Sequence, residues 1–142
     1  MLFRSVRNRT QICWVSSAYT SQIDNRNGTL LGRRCRDQFF TFDGVVFHAD
    51  HNAALNVRHR VTDQVITRFM PYKQVQAVLL ERTARFLSAI GLTLQDAVDR
   101  QWLDIKHTQC LAYKKLLHRS SERLVKAVGE EEANLVDFLR LK

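Results

Sequence analysis

The 142-residue chain sets 22 lysines and arginines against 14 acidic residues, a formal charge of +8, with 45% hydrophobic and 25% charged residues and a single proline. That composition excludes a disordered or collagen-like chain and suits one ordinary domain, or a small domain with a helical part appended. No run of about 18 apolar residues is present to cross a bilayer, the N-terminus lacks the apolar core of a secretion signal, and the cationic excess favours a polyanionic partner.

Residues 11–15, QICWV, read as a short strand, with SSAYTSQ as its polar exit. DNRNG at 24–28 ends in Asn-Gly, a tight-turn signal, and Asp43-Gly44 lies between QFFTF and VVFHA, two runs of strand formers that predict a hairpin. From Asp50 the period changes: Ala53, Ala54, Val57 and Val61 recur at three- and four-residue steps, predicting a helix whose small alanines pack against a sheet. Pro71 suits the first turn of a second helix running to Gly91, with Val75, Val78, Leu79, Phe86 and Ile90 as its apolar stripe. Thr93 with Asp96 resembles a helix start, and Val98, Trp102, Ile105 and Leu116 continue an apolar face beyond it. Gly129 is expected to separate a last short helix, EEEANLVDFLRLK. The organisation is α+β: a β-rich part over residues 1–69 and a helical part over 70–142.

Charge is unevenly distributed. Residues 1–60 hold nine arginines and no lysine against four aspartates, whereas 61–142 hold thirteen bases against ten acids. Guanidinium grips phosphate bidentately and stacks on bases, so Arg26, Arg33, Arg34 and Arg36, followed by Phe39, Phe40 and Phe42, have the makings of a nucleic-acid surface. The plainer reading is a soluble loop beside a hairpin whose phenylalanines are core. Asp50, at the change from strand to helix, has two readings. It caps the helix, or it is a catalytic carboxylate, which needs further acids to hold divalent ions. His48 and His51 form one His-x-x-His pair without a second, Cys35 sits among arginines without a marked reactive context, and Cys13, Cys35 and Cys110 make neither a disulfide framework nor a CxxC pair. A reducing, cytoplasmic location is expected.

AYTSQ at 18–22, a turn closing at Gly28, Phe39, a second turn closing at Gly44, and HADHNAALNV at 48–57 occur in an order that resembles the C-terminal segment of TnpB, the RNA-guided nuclease of insertion sequences, and of the related type V CRISPR effectors. The resemblance covers roughly residues 11–60. It implies a partial RuvC element of RNase H-like fold with an inserted target-nucleic-acid-binding ribbon. It also implies DNA or guide RNA as partner, with contacts from Tyr19, Thr20, Ser21 and Gln22 beside the arginines, and Asp50 as the last catalytic ligand of Mg²⁺ in a D-x-N-A-A motif completed by Asn52, Ala53 and Ala54. Two departures accompany it. The family's four zinc cysteines would fall at Asp24, Asn27, Phe40 and Asp43, so no zinc is expected, and the family's first two catalytic acids, which precede the stretch that QICWV resembles, have no counterpart in these residues. The expected protein is therefore a nucleic-acid-binding fragment of a TnpB-like transposon nuclease, not catalytic alone. The alternatives are one subunit of a split Mg²⁺-dependent nuclease, completed by a separate chain, and a decayed transposon remnant.

Overall fold

The computed structural model describes residues 12–140, the side chains of 134–139 excepted. It is an α+β structure in which a small antiparallel sheet is followed by four helices. The sheet has strands β1 (Gly32–Cys35), β2 (Gln38–Thr41) and β3 (Val46–His48) in the order β1-β2-β3. The helices are α1 (Ala49–Arg60), α2 (Tyr72–Ala89), α3 (Leu94–Asp99) and α4 (Leu111–Arg140), with a 3₁₀ turn at Ile105–Gln109. No helix among the described residues is long and apolar enough to cross a membrane.

The hairpin expected at Asp43-Gly44 joins β2 to β3, pairing Gln38 with His48, Phe39 with Phe47 and Phe40 with Val46. Gly44 adopts φ 84°, and its amide donates to the Thr41 carbonyl at 3.2 Å. The Asn-Gly turn forms as well. Gly28 has φ 70° and donates to the Asp24 carbonyl at 2.9 Å, closing a bridge between Asp24 and Thr29. The sequence reading had no strand over GRRC; those residues become β1 because Arg33, Arg34 and Cys35 pair with Phe40, Phe39 and Gln38 across a turn at Arg36 and Asp37. Gly32 is required by packing, since a Cβ there would lie 2.7 Å from the Phe39 ring, which is fully buried beneath it.

Three expectations need correction. No strand forms over residues 12–15, where Ile12 and Trp14 are exposed and pair with no described strand; Gln11 lies outside the described residues. Helix α1 does not bury an alanine and valine stripe: Ala54, Val57 and Val61 are exposed, and it buries Ala49, Asn52, Asn56 and Arg60 instead. Gly129 does not interrupt the last helix, because α4 runs through it.

The polar stripe of α1 is what shapes the chain ahead of the sheet. Asn52 Nδ2 donates to the Ile23 carbonyl at 2.8 Å, while its Oδ1 accepts from the Asn25 amide and from Asn25 Nδ2 at 3.1 and 2.7 Å. Asn56 Nδ2 reaches the Thr20 and Ile23 carbonyls at 2.9 and 2.7 Å, and Arg60 Nη2 reaches the Ala18 carbonyl at 3.0 Å. Residues 52, 56 and 60 are spaced one helical turn apart, so they form a ladder that satisfies the buried carbonyls of an irregular segment.

Helix α2 follows Pro71, as expected, but Ile90, expected on its apolar stripe, and Ile105, expected on the apolar face beyond Asp96, are both exposed. It buries Val75, Leu79, Leu80, Thr83 and Leu87 against Tyr19, Ile23, Leu30, Leu31, Leu94, Ala97, Leu103 and Tyr113, so one hydrophobic cluster draws from both sides of residue 70. Thr83 fastens the two parts further, its hydroxyl accepting the Leu30 amide at 3.1 Å. Thr93 and Asp96 form the full reciprocal cap of α3, with bonds of 2.7 and 3.1 Å. After α3 the chain turns at Gln101, φ 60°, where the Trp102 amide bonds back to the Ala97 carbonyl at 2.8 Å and sets Leu103 beside Leu31. Beyond Ser120, α4 exposes Leu124, Val125 and Val128.

Candidate nucleic-acid interface

The sheet register sorts the arginines between its two faces. Directly paired residues share a face, so Arg34, Phe39 and Phe47 point one way and Arg33, Phe40 and Val46 the other. The first set faces α1 and contains the buried Phe39; the second is the outer face, where Arg33, Phe40 and Val46 are all exposed. β1 is an edge strand, and its charged side chains also discourage pairing with another chain.

A shallow groove of 220 Å³ runs beside that outer row, lined by Arg33 and Phe40 from the sheet and by Arg100, Gln101 and Trp102 from the end of α3. The Arg100 guanidinium lies over the Trp102 ring at 4.9 Å, and Trp102 is held at 5.2 Å from Phe42. A second, smaller depression brings Arg33 and Arg34 together with Lys106. Cations and aromatic rings thus meet in the outer groove through Arg33, Arg100, Phe40 and Trp102, while the smaller depression joins Arg33 and Arg34 to Lys106 with Asp104 beside it. Arg100, Trp102 and Lys106 were not singled out as binding residues by sequence, because about seventy residues separate them from β1 and the apolar period assigned Trp102 to a helix face.

Arg36 is exposed at the tip of the β1–β2 turn with φ 52°, and its carbonyl accepts from Arg34 Nε at 3.1 Å. Asp50 occupies the first turn of α1, where the N-cap position belongs to His48, which makes no side-chain capping bond. The cap reading of Asp50 is therefore set aside. Its carboxylate is 70% exposed and pairs with Arg34 Nη2 at 2.9 Å, which puts it on the arginine side of the ribbon.

Arg26 is placed differently from the other arginines. Its Nε and Nη2 bond both oxygens of Asp24 at 3.1 and 2.7 Å, and its Nη1 and Nη2 bond both oxygens of Asp43 at 2.9 and 2.7 Å. The guanidinium thereby clasps the two turns of the ribbon together, and it lies 5.4 Å from the Phe47 ring centre. The Asp24 side chain is 0% exposed, while Asp43 is open to solvent. Arg26 holds the Asp43 carboxyl well below the usual carboxylate range, and the Asp43 and Asp24 carboxylates raise Arg26 in turn. Asn27 closes its own turn, accepting from the Thr29 amide and hydroxyl at 3.0 and 2.7 Å. Of the four positions where the resemblance would set cysteines, two are bridged by Arg26, one is engaged within its turn, and Phe40 lies on the outer face. A zinc ion does not fit, because a guanidinium already lies between the carboxylates.

Tyr19 and Thr20 are buried and structural. Tyr19 stacks on Tyr72 at 4.1 Å, and the Thr20 hydroxyl donates to the Ser17 carbonyl at 2.9 Å. Ser21 and Gln22 are half-buried. His48, His51 and Cys35 are exposed. Among the described residues no group of three or more histidine, cysteine or acidic side chains is placed to hold a metal ion. Asp50, with an arginine on its carboxylate, does not by itself fit the carboxylate cluster that a Mg²⁺-dependent nuclease needs.

Comparison of the chain with protein-family models, with curated proteins and with solved structures finds no match.

Proposed function

We propose that this chain is a nucleic-acid-binding module, resembling the C-terminal ribbon of TnpB, that engages DNA or RNA through the outer face of its sheet and has no nuclease activity alone. The observation that carries the reading is the outer-face groove, where the exposed Arg33 and Phe40 stand beside the Arg100–Trp102 pair, with Arg34 and Arg36 exposed nearby along the same edge strand and its turn. Phosphates would meet the guanidinium groups, and unstacked bases would lie against Phe40 and Trp102. A partly open aromatic pair of that kind, Phe40 exposed and Trp102 half-buried, favours single strands over duplex, whose bases are already stacked. On this reading Arg26, together with Asp24 and Asp43, does mechanically what a ligated metal would do: it fixes the spacing of two turns so that the sheet between them presents its cations.

The test is a fluorescence-anisotropy titration of labelled single-stranded and duplex DNA at low ionic strength. Saturable binding, tighter for the single strand and weakened by Phe40→Ser and by Trp102→Leu, is expected. Absence of saturable binding to either would end the proposal.

The exposure of the Asp50 carboxylate beside a displaceable arginine favours a second reading, in which another polypeptide supplies the remaining acids of a split RuvC-type site. Mg²⁺-dependent cleavage by this chain mixed with the polypeptide encoded next to it, lost in Asp50→Ala, would support that reading; equal cleavage by both forms would remove Asp50 from the chemistry.

A further inference from the structure

A second cationic site shares no lining residue with the outer-face groove. It is a cavity of 260 Å³ between the Asn25–Gly28 turn, the end of α1 and α2, with Arg26, Asn27, His59, Arg60, Asp63 and Arg82 in its wall. Because a water molecule takes about 30 Å³, this space admits a tetrahedral oxyanion with part of its hydration.

Arg60 is the telling residue. It is only 5% exposed, and although Nη2 is satisfied by the Ala18 carbonyl, Nη1 is buried with no acceptor among the described residues. Its charge is not matched by an acid at ion-pair distance among those residues. Asp63, the carboxylate in the same wall, is bound through both oxygens by Arg82 at 2.7 and 2.9 Å and also accepts the Val65 and Ile66 amides at 3.0 Å. The carbonyl end of α1 offsets part of the charge. Asp63 adds a longer-range attraction, yet no acid bonds this guanidinium among the described residues, and burying one with an idle donor is costly unless something else completes it. Anchoring the Ala18 carbonyl needs one neutral donor, as Asn56 shows one turn earlier, so that bond does not account for a buried cation here.

We infer that this cavity is an anion site taking a phosphate group, with the Arg60 guanidinium in its wall as the charge to be matched, a small side-chain shift turning its idle donor to the anion, and Arg82 and His59 as further groups in that wall. Inorganic phosphate and the backbone phosphate of a nucleic acid present the same chemistry to it. The inference stands apart from the outer-face reading, since either site can fail without the other.

The test is an NMR titration of the full chain with inorganic phosphate, ionic strength being held constant with chloride, following the amides of Gly28, His59, Arg60 and Arg82. Saturable shifts are expected, with binding weakened at least about tenfold in Arg60→Gln, as for loss of a charge-assisted bond, and unaltered in Arg85→Gln on the exposed side of α2. If Arg60→Gln does not fold, Asp63→Asn serves, because it removes the carboxylate from the wall and keeps Arg60; it tightens phosphate binding severalfold. An oligonucleotide that shifts the same amides and is displaced by phosphate identifies a nucleic-acid backbone as the source, whereas phosphate shifts without oligonucleotide shifts identify a free phosphate group. No saturable phosphate shift in the wild type, shifts that survive Arg60→Gln undiminished, or Asp63→Asn leaving affinity unchanged or weaker would overturn the inference.

Discussion

Replacing Arg26 by methionine isolates the role of the clasp, because the unbranched side chain retains apolar contact with Phe47 while losing all four bonds to Asp24 and Asp43. The Asp43 half is a solvent-screened pair and contributes little. The Asp24 half decides the outcome. Its side chain is 0% exposed, and without Arg26 it keeps only the residue-26 backbone amide at 3.0 Å. Orphaning a buried carboxylate costs about 3–5 kcal/mol, which the one-third exposure of Arg26 reduces to about 2–3 kcal/mol. For a chain of this size that corresponds to a loss of roughly 10 °C in Tm. Thermal melts followed by circular dichroism measure it. Asp24→Asn in the Arg26→Met background recovers part of the loss, Asp43→Asn alone costs less than Arg26→Met, and excess EDTA leaves the wild-type melt where it was. A Tm for Arg26→Met within about 2 °C of wild type, or no recovery in the double variant, would refute the clasp as a stabilising element.

Other expectations follow from the same packing. Asn52→Ala strips three bonds from the buried ladder of α1, leaving the Ile23 carbonyl with Asn56 alone and the Asn25 amide without its acceptor; a loss of about 1–3 kcal/mol in urea melts is expected. Gly32→Ala forces a methyl against the Phe39 ring and the Phe40 carbonyl, at 2.7 and 2.8 Å, and costs about 1–3 kcal/mol by the same assay. His107 is buried with Nδ1 3.3 Å from Gln76 Nε2, and burial lowers its pKa from 6.5 to about 4. Between those values the unfolded chain binds a proton that the folded chain refuses, so stability falls as pH drops through that window, by about 3 kcal/mol at full extent. His107→Gln should flatten that part of the stability profile. Asp63, held well below the usual carboxylate range chiefly by Arg82, contributes stability that is present above about pH 3.9 and fades only as pH falls further.

What the sequence disclosed was what local chemistry determines. Asn27-Gly28 and Asp43-Gly44 demand left-handed backbone at their glycines, and Thr93 with Asp96 spells out a reciprocal cap; each is a statement about three or four neighbouring residues. Pro71 was readable for the same reason, whereas the expected α2 stripe was met only in part: Val75 and Leu79 are buried, Val78 and Phe86 half-buried and Ile90 exposed, while Leu80, Thr83 and Leu87 complete the buried face. Periodicity misled at α1, where it assumes that the buried face is apolar. The segment packed against this helix is irregular and offers carbonyls, so Asn52, Asn56 and Arg60 turn inward and Ala54 and Val57 turn out. β1 escaped notice because an edge strand of arginines has no alternation to detect. Arg26 was grouped with its cationic neighbours, yet its partners lie on two turns, one of them seventeen residues away, and only the folded ribbon brings them together. The Arg33, Arg34 and Arg36 cluster was visible as composition, whereas Arg100, Trp102 and Lys106 reach it only through the turn at Gln101.

The most direct measurement of the central claim is the salt dependence of single-stranded DNA binding, compared between the wild type and a variant with Arg33, Arg34 and Arg36 all changed to glutamine. The account predicts that wild-type affinity falls steeply and linearly on logarithmic axes as salt rises, and that the triple variant binds more weakly with a slope shallower by about 2, one share for each lost phosphate contact. Identical slopes for the two proteins, or wild-type binding indifferent to salt, would contradict it.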